Sequence, residues 1–219
     1  MADVFLVNIC HLFKSTFEVV ASDFLSFYNA CMGKGLLIIL SGPSGVGKGT
    51  VRAKLMENKA LNLFFSVSMT TRSQRPGEVN GREYWFVTRE EFERNVAEGN
   101  LLEHAEFVGN YYGTPRDKVE EMREEGKNVL LEIEINGAQT VMEKCSDAIS
   151  IFLVPPSMEA LEARIRGRST EPEEVIQRRL AKAWSELEKS ALYDYTVLND
   201  SVDNAAEAIA EIIRRNMAK

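Results

Sequence analysis

The sequence predicts an α/β fold: a parallel central sheet flanked by helices, with an inserted mixed α/β lobe and a small helical lid. Three observations carry this reading. A short unbroken apolar run at 36–40 and the mainly apolar stretches at 129–135 and 148–154 have the length and composition of strands buried on both faces. Amphipathic helical stretches separate them, and strands alternating with helices imply a parallel sheet. The piece at 67–113 breaks that rhythm with closely spaced strand signals and a hairpin, which marks it as an insertion.

The elements follow in order. The run at 36–40 leads into Ser41-Gly42-Pro43-Ser44-Gly45-Val46-Gly47-Lys48-Gly49-Thr50, after which 51–58 reads as helix. Residues 64–69 read as a second strand and 83–87 as a third. Thr88-Arg89-Glu90-Glu91 is a capping box, and the helix it opens stops at Gly99. Residues 101–107 and Tyr111-Tyr112 flank Gly109-Asn110 as a hairpin. Thr114-Pro115 reads as an N-cap with proline in the first helical position, and that helix ends at Gly126. A helix at about 137–144 separates the strands at 129–135 and 148–154, and Ser157 caps the next helix. The charged stretch 164–179 contains Pro172 and leads into a long helix through Trp184 and Leu187. Residues 195–198 give a last strand and 204–217 a last amphipathic helix. There are no internal repeats and no low-complexity linker.

Composition narrows the function. The 219 residues carry a formal net charge of -7, with 45% hydrophobic and 27% charged residues, the balance of a soluble globular protein. Such acidity opposes nucleic acid, which would need a local basic patch, but not small phosphorylated ligands met by a few arginines in a cleft. Cys10, Cys31 and Cys145 are far apart and form no C-x-x-C pair, which points to free thiols in a reducing cytoplasm. His11 and His104 are too distant for a zinc cluster. The first thirty-odd residues are rich in apolar side chains but broken by Asp3, Lys14, Glu18 and Asp23, so no run is long enough to span a bilayer. The segment has no arginine, unlike a mitochondrial presequence. Met32 precedes Gly33-Lys34-Gly35 and the first clear strand, so 1–34 reads as an extension of unknown role, with Met32 as the natural start and the segment before it upstream.

Gly42-x-x-x-x-Gly47-Lys48 lies between a buried strand and a helix, the setting that a phosphate-binding loop requires. The candidate loop residues are Gly42, Pro43, Ser44, Gly45, Val46, Gly47, Lys48, Gly49 and Thr50. Glycines let successive N–H groups curl toward phosphates, the helix start adds its dipole, and Lys48 places a compact cation on them. Gly49 stands where such loops usually carry Ser or Thr, so Mg²⁺ would be held largely by the nucleotide and water, or lie near Thr50. The motif by itself says nucleotide phosphate, not which reaction.

From Ser66-Val67-Ser68-Met69-Thr70-Thr71-Arg72-Ser73-Gln74-Arg75-Pro76-Gly77 onward the sequence strongly resembles guanylate kinase. The likeness continues through Glu83-Tyr84, Leu102-Glu103-His104-Ala105, Gly109 to Thr114, Leu131-Glu132-Ile133-Glu134, Pro155-Pro156-Ser157, Gly167-Arg168 and Asn199-Asp200. It covers the chain from Gly35 to the C-terminus. The resemblance implies a P-loop kinase that moves the γ-phosphoryl group of ATP onto GMP, with Mg²⁺, in the guanine nucleotide supply. It implies that Arg72 and Arg75 grip the GMP phosphate with bidentate guanidinium forks, helped by the hydroxyls of Tyr84 and Tyr112. It implies that Glu103 accepts N1–H and the 2-amino group of guanine, with Ser68, Thr114 and Glu134 in support. Adenine would present an acceptor nitrogen there and leave a buried charge unpaired.

The resemblance also assigns Arg164, Arg168 and Arg179 to a lid that closes over the triphosphate, and sets Asn199 near the adenine of ATP. Phosphoryl transfer needs alignment and charge stabilisation, so no general base is expected: the GMP phosphate is already an ionised nucleophile. Ser169 stands where the family commonly has glycine, and Thr114 where it often has serine. The implied layout is a core at 35–66, 114–163 and 187–219, an acceptor lobe at 67–113 and a lid at 164–186. Three rivals fit less well, and one of them, an adenylate or thymidylate kinase, suits Gly47-Lys48-Gly49-Thr50 but not the 68–75 block or Glu103. A non-catalytic scaffold of the same fold would be expected to lose loop residues such as Lys48. A regulatory GTPase would carry Asn-Lys-x-Asp, whereas Asn58-Lys59 is followed by Ala60-Leu61. Sequence leaves monomer or homo-oligomer open.

Overall fold

The apolar runs become a five-stranded all-parallel sheet. The computed structural model describes residues 33–168 and 172–218; the reading of Met32 and the segment before it lies outside them. The strands are β1 (Leu37–Ser41), β2 (Leu63–Phe65), β7 (Asn128–Glu132), β8 (Ala148–Val154) and β9 (Tyr195–Leu198), in the spatial order β2-β7-β1-β8-β9. Every residue of β1 is buried, because helices cover both faces of the sheet. Alternation sorts its side chains. Ile38 and Leu40 join Val51, Leu55, Leu161, Leu180, Ile209 and Ile213 in one core. Leu37 and Ile39 join Val119, Ile135, Val141 and Phe152 in the other. Burying each such side chain stabilises the fold by about 1.5–3 kcal/mol.

The helices are α1 (Lys48–Met56), α2 (Arg89–Ala97), α3 (Arg116–Glu124), α4 (Ile135–Lys144), α5 (Met158–Arg168), α6 (Glu173–Leu187) and α7 (Val202–Met217). The Thr88 cap holds, its hydroxyl accepting from Glu91 N at 3.1 Å, and Gly99 ends the following turn at φ 71°. Ser157 likewise accepts from Ala160 N at 3.2 Å. The start of the sheet is fixed by buried polar contacts. Arg123 Nε donates to Gly35 O at 2.9 Å, and its guanidinium also pairs with Asp147. A Cβ at Gly35 would come within 1.9 Å of Lys127 O, so no side chain fits there.

The second sheet has four strands in the order β4-β3-β6-β5, where β3 is Met69–Thr70, β4 Trp85–Phe86, β5 Leu101–Phe107 and β6 Asn110–Pro115. It is mixed: β3 and β4 are parallel, while β6 runs antiparallel to β3 and β5. Four expectations need correction here. The strand expected at 64–69 is two strands in two sheets. Phe65 pairs with Leu130, Met69 pairs with Gly113, and 66–68 crosses between. An unbroken run of β-prone residues does not reveal that its partner changes. The hairpin turns on Val108-Gly109, one residue earlier than expected, with φ of 48° and 73°, as a two-residue loop of positive φ requires. Pro115 is the N-cap of α3, and Thr114 stays in β6. The strand expected to reach Ile135 ends at Glu132, because Glu134 already caps α4.

Candidate active site

The phosphate loop leaves the C-terminal end of β1, where its neighbours β7 and β8 diverge in sequence, the switch point at which open α/β sheets bind ligands. Gly42, Gly45 and Gly47 have φ of 147°, 84° and 105°. At each of them a Cβ would also collide, lying 2.5 Å from Leu153 O, 2.7 Å from Ile165 Cγ1 and 2.8 Å from Asn199 Nδ2 respectively. These glycines are therefore demanded by backbone angle and by space. Val46 N donates to Pro43 O, and Thr50 N and Val51 N both donate to Gly47 O, which starts α1. Thr50 is exposed on that first turn.

Lys48 folds back so that Nζ donates to Gly42 O at 2.7 Å and Pro43 O at 3.2 Å. Burial pushes its pKa down; the carboxylates of Glu132, then Glu186 and Glu134, oppose that shift. Three further side chains close on the loop. Arg164 donates to Val46 O at 3.1 Å and Asn199 O at 2.9 Å. Asn199, 3% exposed, donates Nδ2 to Val46 O at 2.7 Å, while its buried Oδ1 has no hydrogen-bond partner among the described residues. Arg179 donates to Ser44 Oγ at 3.2 Å. The side chain of Arg168, and Ser169, lie outside the described residues.

The second half of the site lies on the mixed sheet. Arg72 pairs with Glu78 Oε1 at 2.8 Å, and its guanidinium lies 5.4 Å from the ring centroid of Tyr84 and 5.5 Å from that of Phe86. Tyr84 and Tyr112 meet edge to face at 5.8 Å. Arg75 is exposed at the following turn, its backbone N donating to Glu78 Oε2 at 2.8 Å. Ser68, half-buried, accepts from Trp85 N at 2.8 Å through its carbonyl.

Glu103 is 7% exposed and its Oε1 accepts from the Thr114 hydroxyl at 2.6 Å. The placement depends on an irregularity: between Leu101 and His104 the β5–β6 register shifts by one residue, a bulge that turns Glu103 inward behind Leu101 and Leu102. Its Oε2 lies against Gly137 of α4, where a Cβ would approach to 2.5 Å. Burial raises the Glu103 pKa, while Thr114 and Lys144 oppose the rise and Glu134 adds to it. Glu134 is exposed at the N-terminus of α4, with Lys182 of α6 at 3.4 Å. The charge of Glu134 bears on both Lys48, whose charged form it stabilises, and Glu103, whose charged form it disfavours. Glu132 likewise influences both Lys48 and Tyr84.

Several neighbours escaped the sequence reading. Arg52 reaches Glu132 Oε2 at 2.7 Å and lies 4.1 Å over the Phe65 ring. Its spacing of four from Lys48 on one helix was the available signal. A Cβ on Gly49 would lie 3.7 Å from Glu132 Oε1, so a carboxylate stands beside the position that lacks a hydroxyl. Among the described residues, no group of three or more His, Cys, Asp or Glu side chains could hold a metal ion. Glu186 and Lys182 gave no sequence signal beyond helical spacing.

Comparison with known proteins identifies the family. Residues 34–216 match the family model described as guanylate kinase. The chain is 55% identical over 180 residues to the guanylate kinase of Lactococcus lactis subsp. lactis, covering 82% of this chain and 87% of that one. It is 52% identical to that of Lactobacillus acidophilus, covering 82% and 88%. The crystal structure of guanylate kinase from Anaplasma phagocytophilum superposes with a TM-score of 0.68 at 38% identity, covering 85% of this chain and 88% of that one. The match to the family model and to these relatives along nearly the whole folded region makes this chain a member of the guanylate kinase family.

Proposed function

We propose that this chain acts as a guanylate kinase through the two half-sites described above, with the γ-phosphoryl group of ATP passing to GMP to give ADP and GDP. The observation that carries the assignment of the acceptor is the buried Glu103 carboxylate with Thr114 on Oε1. Guanine offers N1–H and the 2-amino group as adjacent donors, which fit a carboxylate; adenine cannot. The GMP phosphate would take Arg72 from Glu78, with Tyr84, Tyr112 and Arg75 around it and Ser68 and Glu134 nearby. The ATP phosphates would lie in the loop 42–50, with Lys48, Arg164, Arg168 and Arg179 neutralising them and Asn199 holding the loop from beneath.

In the transfer, an oxygen of the GMP phosphate forms a bond to the γ-phosphorus while the bond to the β–γ bridging oxygen breaks, leaving the electron pair on ADP. The side chains align the two phosphates and spread the charge; none needs to remove a proton. Mg²⁺ bound with ATP would neutralise phosphate charge, and Glu132, beside Gly49, is the oxygen donor that fits such a hard cation. We place the acceptor lobe at 67–113 and the lid at 164–186, both closing toward the loop to exclude water. No described helix is long and apolar enough to cross a membrane.

The test is a coupled ADP-release assay with ATP and Mg²⁺, offering GMP, AMP, CMP and UMP to the wild type and to Glu103→Gln. Turnover with GMP alone, lowered about 100-fold or more in kcat/KM by the substitution, is expected from losing a charged acceptor of two hydrogen bonds. Equal turnover with AMP would overturn the acceptor assignment.

A further inference from the structure

Helix α6 places a stripe of charges over the phosphate loop. Arg179, Lys182 and Glu186 are three and four residues apart, so they share one face. Arg179 reaches the Ser44 hydroxyl. Glu186 does something different: its Oε2 accepts the backbone N–H of Ser44 at 3.3 Å. Its other oxygen, Oε1, lies 3.5 Å from Lys182 Nζ, and the side chain is only 13% exposed. A carboxylate thus holds a main-chain N–H of the loop that serves an anionic ligand.

We propose that Glu186 is a positioning residue that stands in for phosphate when the donor site is empty. It keeps the Ser44 N–H paired and α6 seated on the loop, and the terminal phosphate of the incoming nucleotide must displace it. Without some partner, that partly buried N–H would be left unsatisfied at a cost in stability. A carboxylate supplies what a phosphate oxygen supplies, a charged acceptor, but on a tether. Lys182 is placed to receive Glu186 when it leaves, since it already bridges Glu186 and Glu134. Donor affinity is thereby held down, and the departing nucleotide has a replacement ready.

The proposal rests on the donor phosphates lying in the loop, and the experiment separates the two claims. Binding of the imido analogue AMP-PNP with Mg²⁺ is measured by calorimetry for wild type, Glu186→Gln, Glu186→Asp and Lys48→Met. Glu186→Asp keeps the charge but is one methylene too short to reach Ser44 N. Both Glu186 variants are expected to bind about three- to tenfold more tightly, as loss of a charge-assisted competitor predicts. If Glu186→Asp binds like the wild type while Glu186→Gln tightens, the effect is charge alone and the proposal fails. Weaker binding by either variant also overturns it, because Glu186 would then be helping to hold phosphate. If Lys48→Met leaves affinity unchanged, it is the donor-site assignment that fails. Hydrogen exchange on the unsubstituted protein gives a check free of any folding defect. The Ser44 amide should be protected in the nucleotide-free enzyme, and free exchange there would refute the contact.

Discussion

The Thr114 hydroxyl donates to Glu103 across the β5–β6 pair at 2.6 Å, and this bond orients the one carboxylate buried inside the mixed sheet. Removing the donor while keeping the shape should show its worth. Thr114→Val is expected to raise KM for GMP by about tenfold or more, since hydrogen bonds to charged groups contribute roughly 1.5–3 kcal/mol. Thr114→Ser should stay close to wild type. Steady-state kinetics with GMP varied at saturating ATP would check both.

Burial holds the Glu103 carboxyl above its ordinary value. The proposed pairing with guanine uses the charged form, so GMP affinity should fall on acidification at a higher pH than a free glutamate would give. The stability term has the opposite sense. The native state keeps a proton that the unfolded chain has already released, so stability falls as pH rises from the ordinary glutamate value through the raised one. Glu103→Gln should therefore flatten the pH profile of GMP binding and raise Tm at neutral pH. Calorimetry and thermal melts from acidic to neutral pH would read both trends.

Lys48 moves the other way. Burial lowers its pKa, although Glu132, Glu186 and Glu134 resist. It should lose its proton, and the loop its cation, at a lower pH than an exposed lysine. KM for ATP is expected to climb toward alkaline pH, and Lys48→Arg, whose guanidinium keeps its charge, should remove that limb even if it turns over slowly.

Gly137 touches the proposed acceptor pocket from the side of α4. An alanine there would place a methyl group 2.5 Å from Glu103 Oε2, a carboxylate already pinned by Thr114. Gly137→Ala should weaken GMP binding about tenfold and leave AMP-PNP binding unchanged, despite a better helix propensity.

Val108 is a β-branched residue at φ 48°, exposed at the hairpin tip. Val108→Asn or Val108→Gly should relieve the strain and stabilise the protein by about 0.5–1 kcal/mol without changing kcat. A thermal melt beside an activity assay would check it.

The sheet and its helices were legible because buried parallel strands are continuous apolar runs and their helices are amphipathic. The phosphate loop was legible because its glycines are fixed by geometry that a spacing pattern records. What stayed hidden depended on partners distant in sequence. Nothing local says that Phe65 and Met69 belong to different sheets, nor that a bulge turns Glu103 inward. Glu186 reaches Ser44 over 142 residues of chain. Arg52 and Glu132 are ordinary surface charges until β7 is laid beside β1, with Leu40 opposite Glu132.

The same arrangement of strands sets an order on biosynthesis. Strand β1 lies between β7 and β8, and its partner Val129 stands opposite Leu37, with the whole mixed lobe encoded between them. A ribosome therefore delivers the fully buried run Leu37–Ser41 long before anything it can pair with; the neighbouring contact from Leu36 N to Asn128 spans 92 residues. During that interval an apolar strand with two open edges is available to other chains. The nascent protein is most exposed to aggregation before β7 emerges, and a chaperone that shelters the first strand until then would raise its yield.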